Sequence, residues 1–275
     1  ELRTETMSPL TEPTRIILRN GWQPMDPDAA AYITAVETAD GQALEEPVKI
    51  AIDNFVLGCK ADGIWDAIKA SCILAGARTL NGALVPLVGT APTNYNFVAG
   101  DYNRETGLVG DGSTKYLDSN RANNADPQNN AHRSVFVTTA PTSDAANFYG
   151  AEGVLVAGGD NLVRSGNTLR GASRGDGTGP GFNILGENNT LGFKAISRNN
   201  SANYTVRTSS VDTTANVASQ SPTSVDIAIF SRSTVSPDIY SDARIAFYSI
   251  GEALDLALLD ARVTDLINKF AEVIP

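Results

Sequence analysis

Residues 26–78 carry hydrophobic positions at helical spacing. The run Asp26-Pro27-Asp28 is typical of a helix start, because an Asp side chain caps free backbone N–H groups and Pro suits the first turn. A second helix is predicted from Glu46 and a third between Gly63 and Gly76, where Ile64, Trp65, Ile68 and Cys72 share one face. The second helix has its apolar face at Val48, Ile52, Phe55, Val56 and Cys59. The segment predicts a small helical subdomain of three short helices, with Trp65 in its core.

Beyond Thr79, short apolar or alternating runs are separated by clusters of Gly, Asn, Asp, Ser and Pro. Their spacing of about ten residues, without helical periods between them, indicates antiparallel sheets packed as a β-sandwich or jelly roll. The predicted strands cover residues 80–87, 116–117, 133–138, 147–151, 154–156, 162–164, 168–170, 182–185, 191–197, 203–208, 225–232 and 244–250. The last two are apolar enough to lie at the centre of a sheet.

The chain turns helical again after Gly251. A hydrophobic stripe follows and predicts a C-terminal helix that packs on the flank of the sandwich or on the N-terminal helices. The stripe comprises Leu256, Leu259, Val263, Leu266, Ile267 and Phe270. Residues 79–275 are therefore predicted to form one mainly β domain that ends in a packed helix.

Residues 1–25 contain Pro9, Pro13 and Pro24 and show no period long enough for a core element. They predict an extended N-terminal arm. Two interpretations stay open at this point: an unstructured terminus, or a segment that docks on a neighbouring subunit.

Charge and composition narrow the function. The 275 residues have a net charge of −10, which opposes the broad attraction to phosphate that nucleic-acid binding requires. No apolar run approaches the ~20 residues that cross a bilayer, and no export signal is visible, so we expect no membrane insertion. Two cysteines, Cys59 and Cys72, exclude a disulfide scaffold and are predicted to be buried thiols.

The sequence contains few candidate residues for a catalytic or metal site. His132 is the only histidine, no Gly-X-Ser-X-Gly motif occurs, and the two cysteines lack zinc-ligand spacing. We therefore predict no catalytic residue, no metal and no cofactor. Calcium stays as an alternative because loop carboxylates are abundant, although Asp and Asn are also ordinary turn residues. The carboxylates considered are Asp101, Asp111, Asp118 and Asp126.

Ligand binding is the remaining possibility for the polar surface. Residues 171–181 form a glycine-rich stretch that lacks the Lys and following helix of a phosphate loop, which favours a long loop. Arg164, Arg170 and Arg174 are scattered along the chain and are predicted to be solvated loop charges. Hydroxyl and amide groups beside an aromatic ring are typical of sugar recognition; Tyr149, Tyr204 and Tyr240 are the rings predicted near loops. The predicted ligand-binding residues are Tyr149, Arg174, Asp176, Asn200 and Tyr204.

Three segments resemble a module of structural proteins of tailed bacteriophages. They read ADGIWDAIKASCILAGARTL from Ala61, DYNRETGLVGDGSTKYL from Asp101, and ARIAFYSIGEALDLALLDARVTDLI from Ala243. The resemblance spans about residues 28–270. It implies a concanavalin-like or laminin-G-like sandwich after a helical unit, used in fibres, tail appendages or capsid decorations. It brings no catalytic or ligand residues with it.

The predicted function is that of a non-enzymatic virion structural protein, made in the host bacterial cytoplasm. A tail fibre or tail-appendage subunit in host attachment comes first, a capsid decoration protein is the alternative, and a polysaccharide-binding or polysaccharide-degrading module is the third. The predicted partners are other virion proteins and further copies of the chain, through residues 1–25 and the helical subdomain, together with a host-surface glycan.

Overall fold

The computed structural model describes residues 22–152, 156–175, 191–233 and 236–274, and the backbone of Phe182–Leu185. Four helices are described: α1 (Pro27–Asp40), α2 (Glu46–Ala61), α3 (Leu80–Ala83) and α4 (Leu256–Val273). No helix within these ranges is long and apolar enough to cross a bilayer.

The strands of the described residues form two antiparallel sheets, which confirms the predicted mainly β sandwich with N-terminal helices and a C-terminal helix. Sheet A contains β1 (Ile68–Ile73), β3 (Tyr102–Asn103), β4 (Gly107–Val109), β6 (Ala131–Thr139), β11 (Gly192–Arg198), β12 (Tyr204–Thr208), β13 (Val211–Ala215) and β15 (Arg244–Gly251). Sheet B contains β2 (Thr93–Tyr95), β5 (Tyr116–Ala122), β7 (Ala145–Ala151), β8 (Asp160–Ser165), β9 (Thr168–Ser173), β10 (Phe182–Leu185) and β14 (Asp226–Ile229).

Strand order places the longest strands at the centre. Sheet A runs β13-β12-β11-β6-β15-β4-β3, and β1 also pairs with β15. Sheet B runs β10-β9-β8-β7-β14-β5-β2. Strand β6 pairs with β15 from Thr139–Arg244 to His132–Gly251, with two register shifts.

The molecule has three layers, which are the helices, sheet A and sheet B, because sheet A buries apolar side chains on both of its faces. Val135 and Val137 of β6 face the core between the two sheets, whereas Phe136 faces the core beneath the helices. In β15, Ile245 and Phe247 divide between the same two cores. Helices α2 and α4 pack on each other, and α4 also contacts β11. The predicted stripe of α4 is buried as expected.

The predicted starts of the first two helices are confirmed. Asp26 caps α1 by accepting hydrogen bonds from the backbone N–H groups of Asp28 and Ala29, and Pro27 follows it. Gly41 ends α1 in the left-handed conformation, at φ 69°. The apolar face predicted for α2 is buried at all five positions.

The third predicted helix is wrong. Residues Trp65–Ala67 form a single 3-10 turn, and Ile68–Ile73 continue as β1. Ala70 and Cys72 face the core between the sheets, whereas Ile73 faces the helices, which is the period of two that a strand requires. A short segment that is apolar on both faces fits either period, and pairing with β15 selects the strand.

The predicted strand at residues 80–87 is also wrong. Thr79 caps the short helix α3 by accepting a hydrogen bond from the Gly82 N–H, and Asp40 accepts hydrogen bonds from the N–H groups of Arg78 and Thr79. Two of the three residues of the strand predicted at 154–156 and most of the arm predicted at 1–25 lie outside the described residues. The domain boundaries at residues 26 and 79 stay predictions.

Candidate functional site

Three of the predicted ligand-binding residues lie inside the protein. Tyr149 and Tyr204 are each 1% exposed, and Arg174 is 0% exposed. Their predicted places in surface loops are therefore wrong. Tyr149 lies on the inner face of β7, and the Tyr204 hydroxyl donates to the Gly171 carbonyl oxygen across the sandwich at 3.1 Å.

Arg174 belongs to a buried polar cluster between the ends of the two sheets. Its Nε lies 3.4 Å from Oδ2 of Asp160, and its guanidinium donates to the carbonyl oxygens of Asn123 (2.7 Å) and Pro127. Arg133 lies 3.7 Å from the same carboxylate. Burial lowers the pKa of Arg174, and the negative charge of Asp160 opposes that shift. The cluster holds loop segments in place by satisfying their carbonyl oxygens.

The two remaining predicted ligand residues differ. Asn200 is half-buried in a turn, where its amide accepts from the N–H groups of Ala202 and Asn203. Asp176 lies outside the described residues, as does most of the 171–181 stretch. A ligand role for these two residues stays a prediction.

The side chains considered for catalysis or metal binding do not form a site among the described residues. His132 is 1% exposed and lies between the Glu252 carbonyl oxygen (2.6 Å from Nδ1) and the Ser249 hydroxyl (2.9 Å from Nε2). Its pKa falls to about 4, chiefly because burial disfavours the charged form. Within the described ranges, no group of three or more His, Cys, Asp or Glu side chains could hold a metal ion.

The outer face of sheet B, by contrast, has no described helix packed on it. Strand alternation identifies its side chains, because Leu117, Leu162 and Ile229 face the inner core and their neighbours in sequence face outward. Register then places Asn161, Gly150, Ala228, Asp118 and Thr93 in one row across β8, β7, β14, β5 and β2.

A cluster of three tyrosines occupies this outer face beside that row. We call Tyr95, Tyr116 and Tyr240 the tyrosine cluster. Tyr95 and Tyr116 are cross-strand partners whose rings stack at 4.3 Å between centroids with an interplanar angle of 4°. Tyr240 lies 6.1 Å from Tyr116 at 58°. Tyr95 is 40% exposed, so the cluster presents aromatic surface to solvent.

The pKa of the Tyr116 hydroxyl lies above the ordinary value for tyrosine. Its pKa rises to about 12, first because of burial and then because Tyr95, Tyr240 and Asp118 disfavour a further negative charge. Asp118 lies on the same face, and burial raises its pKa, with Asp226 adding to the shift. The cluster therefore offers neutral rings beside a half-buried carboxyl group at neutral pH.

Residues 230–233 and 236–242, which follow β14 and are called the loop below, lie on the outer face next to the tyrosine cluster. Arg232 and Asp238 hold it together through a two-pronged ion pair, at 2.7 Å and 2.5 Å. The loop approaches the sheet at Gly150, where an added Cβ would lie 3.1 Å from the Cα of Arg232. Ile239 has φ +48°, a strained value for a β-branched residue. Such strain often accompanies functional sites because the surrounding structure must enforce it.

Under this loop lies a cavity of about 140 Å³. We call it the arginine pocket, because Arg164, Arg170 and Arg232 line it. Ile239 also lines the pocket, and the next residue, Tyr240, belongs to the tyrosine cluster. The pocket and the cluster are therefore two parts of one surface.

Sequence reasoning found Tyr240 but missed Tyr95 and Tyr116. A signal was present for Tyr116, since the predicted strand at 116–117 puts its two side chains on opposite faces and Leu117 is the apolar one. No comparable signal marked Tyr95, because its three-residue strand is exposed throughout.

The opposite side of the molecule carries two adjoining depressions that share Asp28 and Trp65. Their volumes are about 350 and 340 Å³. Trp65 is half-buried against the core beneath the helices, and the Lys60 ammonium lies 5.5 Å from its ring centroid. The predicted core position of Trp65 is thus only partly buried.

No protein-family model matches the sequence. No curated protein matches it either. Among solved structures, the binding domain of botulinum neurotoxin serotype D superposes with a TM-score of 0.49 at 11% identity, over 73% of this chain and 51% of that chain. A mutant Trypanosoma rangeli sialidase with trans-sialidase activity superposes with a TM-score of 0.44 at 11% identity, over 78% of this chain and 39% of that chain.

The chain spans about half the length of the neurotoxin domain. At these identities and TM-scores, neither similarity assigns a ligand or an activity to the chain.

Proposed function

We propose that this protein is a non-enzymatic component of a bacteriophage tail appendage whose outer sheet B face binds a glycan of the host surface. The observation that carries the binding function is the tyrosine cluster, with its stacked pair Tyr95 and Tyr116 at 4.3 Å. The virion setting rests on the three sequence segments that resemble phage structural proteins.

The layered fold supports this choice of face. Helices α1, α2 and α4 cover sheet A, so that face contributes to the core. The outer face of sheet B instead carries exposed aromatic and polar side chains. Tyr95 is 40% exposed and stacks on the half-buried Tyr116, so this face offers an aromatic surface that a ligand can contact.

The chemistry of the cluster suits a sugar. A pyranose ring presents C–H groups on its faces and hydroxyls at its edge, so it stacks on a tyrosine ring and donates hydrogen bonds to a carboxylate. Asp118 stands two residues from Tyr116 on the same face of β5 and can accept such bonds.

The non-enzymatic part rests on the placement of the titratable groups. His132 is buried within sheet A and faces Ser249, so it cannot reach the outer face of sheet B. Among the described side chains, the buried thiols Cys59 and Cys72 have pKa values raised to about 12 by burial and do not form a nucleophile at neutral pH.

The direct test is binding of the purified chain to an array of bacterial surface polysaccharides. We expect specific binding that Tyr116→Ala weakens by about 30-fold in Kd, because truncating a central aromatic contact costs about 2 kcal/mol. Tyr116→Phe should retain most of the affinity, since it keeps the stacking ring.

The matched control is Trp65→Ala, which removes an aromatic ring from the opposite side of the molecule. It should leave binding unchanged, with folding of all variants checked by their melting temperatures. Binding that is lost in Trp65→Ala and kept in Tyr116→Ala contradicts the proposed face.

An incubated polysaccharide should also keep its chain length. Shortening of the polymer that disappears in Asp118→Asn contradicts the non-enzymatic proposal and favours a polysaccharide-degrading module instead.

Assembly with other virion proteins and with further copies of the chain belongs to the same proposal. The segments proposed for these contacts are residues 1–25, of which 1–21 lie outside the described residues, and the predicted helical subdomain, residues 26–78. This arrangement would leave the outer face of sheet B free for the host. The melting temperature and mass of the full chain and of a variant lacking residues 1–21 test it: equal oligomer sizes contradict a role for the arm.

A further inference from the structure

The arginine pocket concentrates positive charge in an acidic protein. The chain has a net charge of −10, yet three arginines line this one cavity. The other lining residues include Asn147, Asn161 and Val163, which the register places on the outer face of β7 and β8. Val163 is only 8% exposed although it faces outward, because the loop carrying Arg232 and Ile239 covers it.

Two of the arginines are already engaged. Arg232 forms the two-pronged ion pair with Asp238. Arg164 donates to the carbonyl oxygens of Gly166 and Pro141 and lies 4.0 Å from Asp144. Both therefore shape the pocket rather than offering a free guanidinium, and their carboxylate partners offset much of their charge.

Arg170 is different. It is exposed on β9, opposite Val163 in the ladder, and its guanidinium has no hydrogen bond or ion pair with any side chain that the structure describes. A guanidinium presents paired N–H donors in one plane, which match the two oxygens of a carboxylate. Arg170 is thus placed to receive an anionic group at the mouth of the pocket.

The floor of the pocket holds an acceptor that lacks a donor. Asn147 Nδ2 donates to the Ile239 carbonyl oxygen at 3.4 Å, which leaves its Oδ1 to accept from Asn161 Nδ2 at 2.5 Å. This chain fixes the Asn161 amide so that its Oδ1 must find a donor elsewhere. Asn161 is 1% exposed, and its Oδ1 has no hydrogen-bond partner among the described residues.

A buried acceptor without a donor is costly, and a hydroxyl group of a ligand in the pocket would supply the missing donor. We propose that the arginine pocket binds the carboxylate of an acidic sugar, with Arg170 pairing with the carboxylate and Asn161 Oδ1 accepting a neighbouring hydroxyl. A uronic acid carries both groups on one ring. The cavity of about 140 Å³ has room for the carboxylate and the neighbouring hydroxyl of one sugar unit, and not for a whole polymer.

This inference rests on the proposed function, because the rest of the glycan would lie on the tyrosine cluster. Ile239 lines the pocket and Tyr240 belongs to the cluster, and consecutive Cα atoms lie about 3.8 Å apart. When an acidic sugar unit occupies the pocket, the next sugar unit of the glycan therefore lies over the tyrosine cluster.

The test uses the full chain with alginate, polygalacturonate and hyaluronate oligosaccharides, each also with its carboxyl groups reduced to primary alcohols. Calorimetric titration should show at least one acid binding, with a Kd at least tenfold weaker for its reduced form. Arg170→Gln should weaken the acid by the same factor, about 1.4 kcal/mol, and leave the reduced form unchanged. Raised salt should weaken only the acid.

Lys269→Gln is the matched control, since it removes an exposed cation from α4 on the other side of the molecule. It should change neither Kd. Reduced oligosaccharides that bind as tightly as the acids, or Arg170→Gln without effect while Tyr116→Ala abolishes binding, overturn the carboxylate inference and leave the glycan function standing. Absence of binding by the acidic and reduced oligosaccharides and by every polysaccharide of the array overturns both.

Discussion

Replacing Arg174 by Met should destabilise the protein without weakening glycan binding. Arg174 is fully buried, and its Nε lies 3.4 Å from the equally buried carboxylate of Asp160. That carboxylate accepts no hydrogen bond from any described residue, so the nearby guanidinium groups compensate its charge. Met keeps the apolar stem and removes the charge, which leaves Arg133, at 3.7 Å, as the nearest cation.

The magnitude follows from the unpaired charge. Breaking a buried ion pair by removing one partner costs about 3–5 kcal/mol, because the other charge stays buried with its nearest compensating charge lost. A chain of 275 residues unfolds with an entropy of about 0.6 kcal/mol per kelvin, so the melting temperature should fall by about 5–9 °C. Differential scanning calorimetry measures this shift directly.

The control is the double variant Arg174→Met with Asp160→Asn. Removing the stranded carboxylate should recover at least about 1 kcal/mol relative to Arg174→Met alone, since the two side chains are coupled. A fall of less than about 2 °C in the single variant, or a double variant with no recovery, refutes the ion-pair reasoning. Glycan binding lost in a variant that remains folded would instead restore Arg174 to the ligand-binding role that the sequence predicted.

Three further outcomes are expected. His132 has a folded pKa of about 4 against 6.5 when unfolded, so the unfolded chain binds its proton first, and the unfolding free energy should fall by up to about 3 kcal/mol between pH 6.5 and pH 4. Urea titrations should show a smaller pH dependence in His132→Gln. Cys59 and Cys72 should resist a thiol reagent at pH 8 until the protein unfolds, because burial raises both pKa values to about 12. Phe270→Ala should lower the unfolding free energy by about 3–5 kcal/mol, measured in urea, because the Phe270 ring of α4 is fully buried. The ring packs so closely on Gly76 that a Cβ added to this glycine would lie 2.8 Å from it.

Much of the fold follows from local sequence signals. Asp26 and Pro27 mark the start of α1, and the stripe of α4 has the period of a helix on a flat apolar surface. The central strands β6 and β15 are apolar on both faces, which is typical of a sheet with a layer on each side. These signals are read from neighbouring residues and need no knowledge of the partner strand.

Other elements depend on distant partners. Residues 68–73 form a strand because β15 offers them an open edge, and nothing within the segment distinguishes this outcome from a helix. Strands β2, β3 and β4 are only two or three residues long, so they carry no period of their own. Their positions come from the hydrogen bonds of longer neighbours.

The candidate site shows the same limit. Arg174 follows β9 in a glycine-rich stretch that favours a solvated loop, yet the fold brings it to Asp160 in the interior. Tyr95 and Tyr116 are 21 positions apart and meet only because β2 pairs with β5. Pairings of this kind are tertiary, so a single sequence does not reveal them.

The most direct measurement is a crystal structure of the chain with an oligosaccharide that binds in the array. The proposed function predicts density for a sugar ring stacked on Tyr116 or Tyr95, with its chain leading towards the loop at Ile239. Density confined to the depressions beside Trp65, with the tyrosine cluster bare, would contradict it.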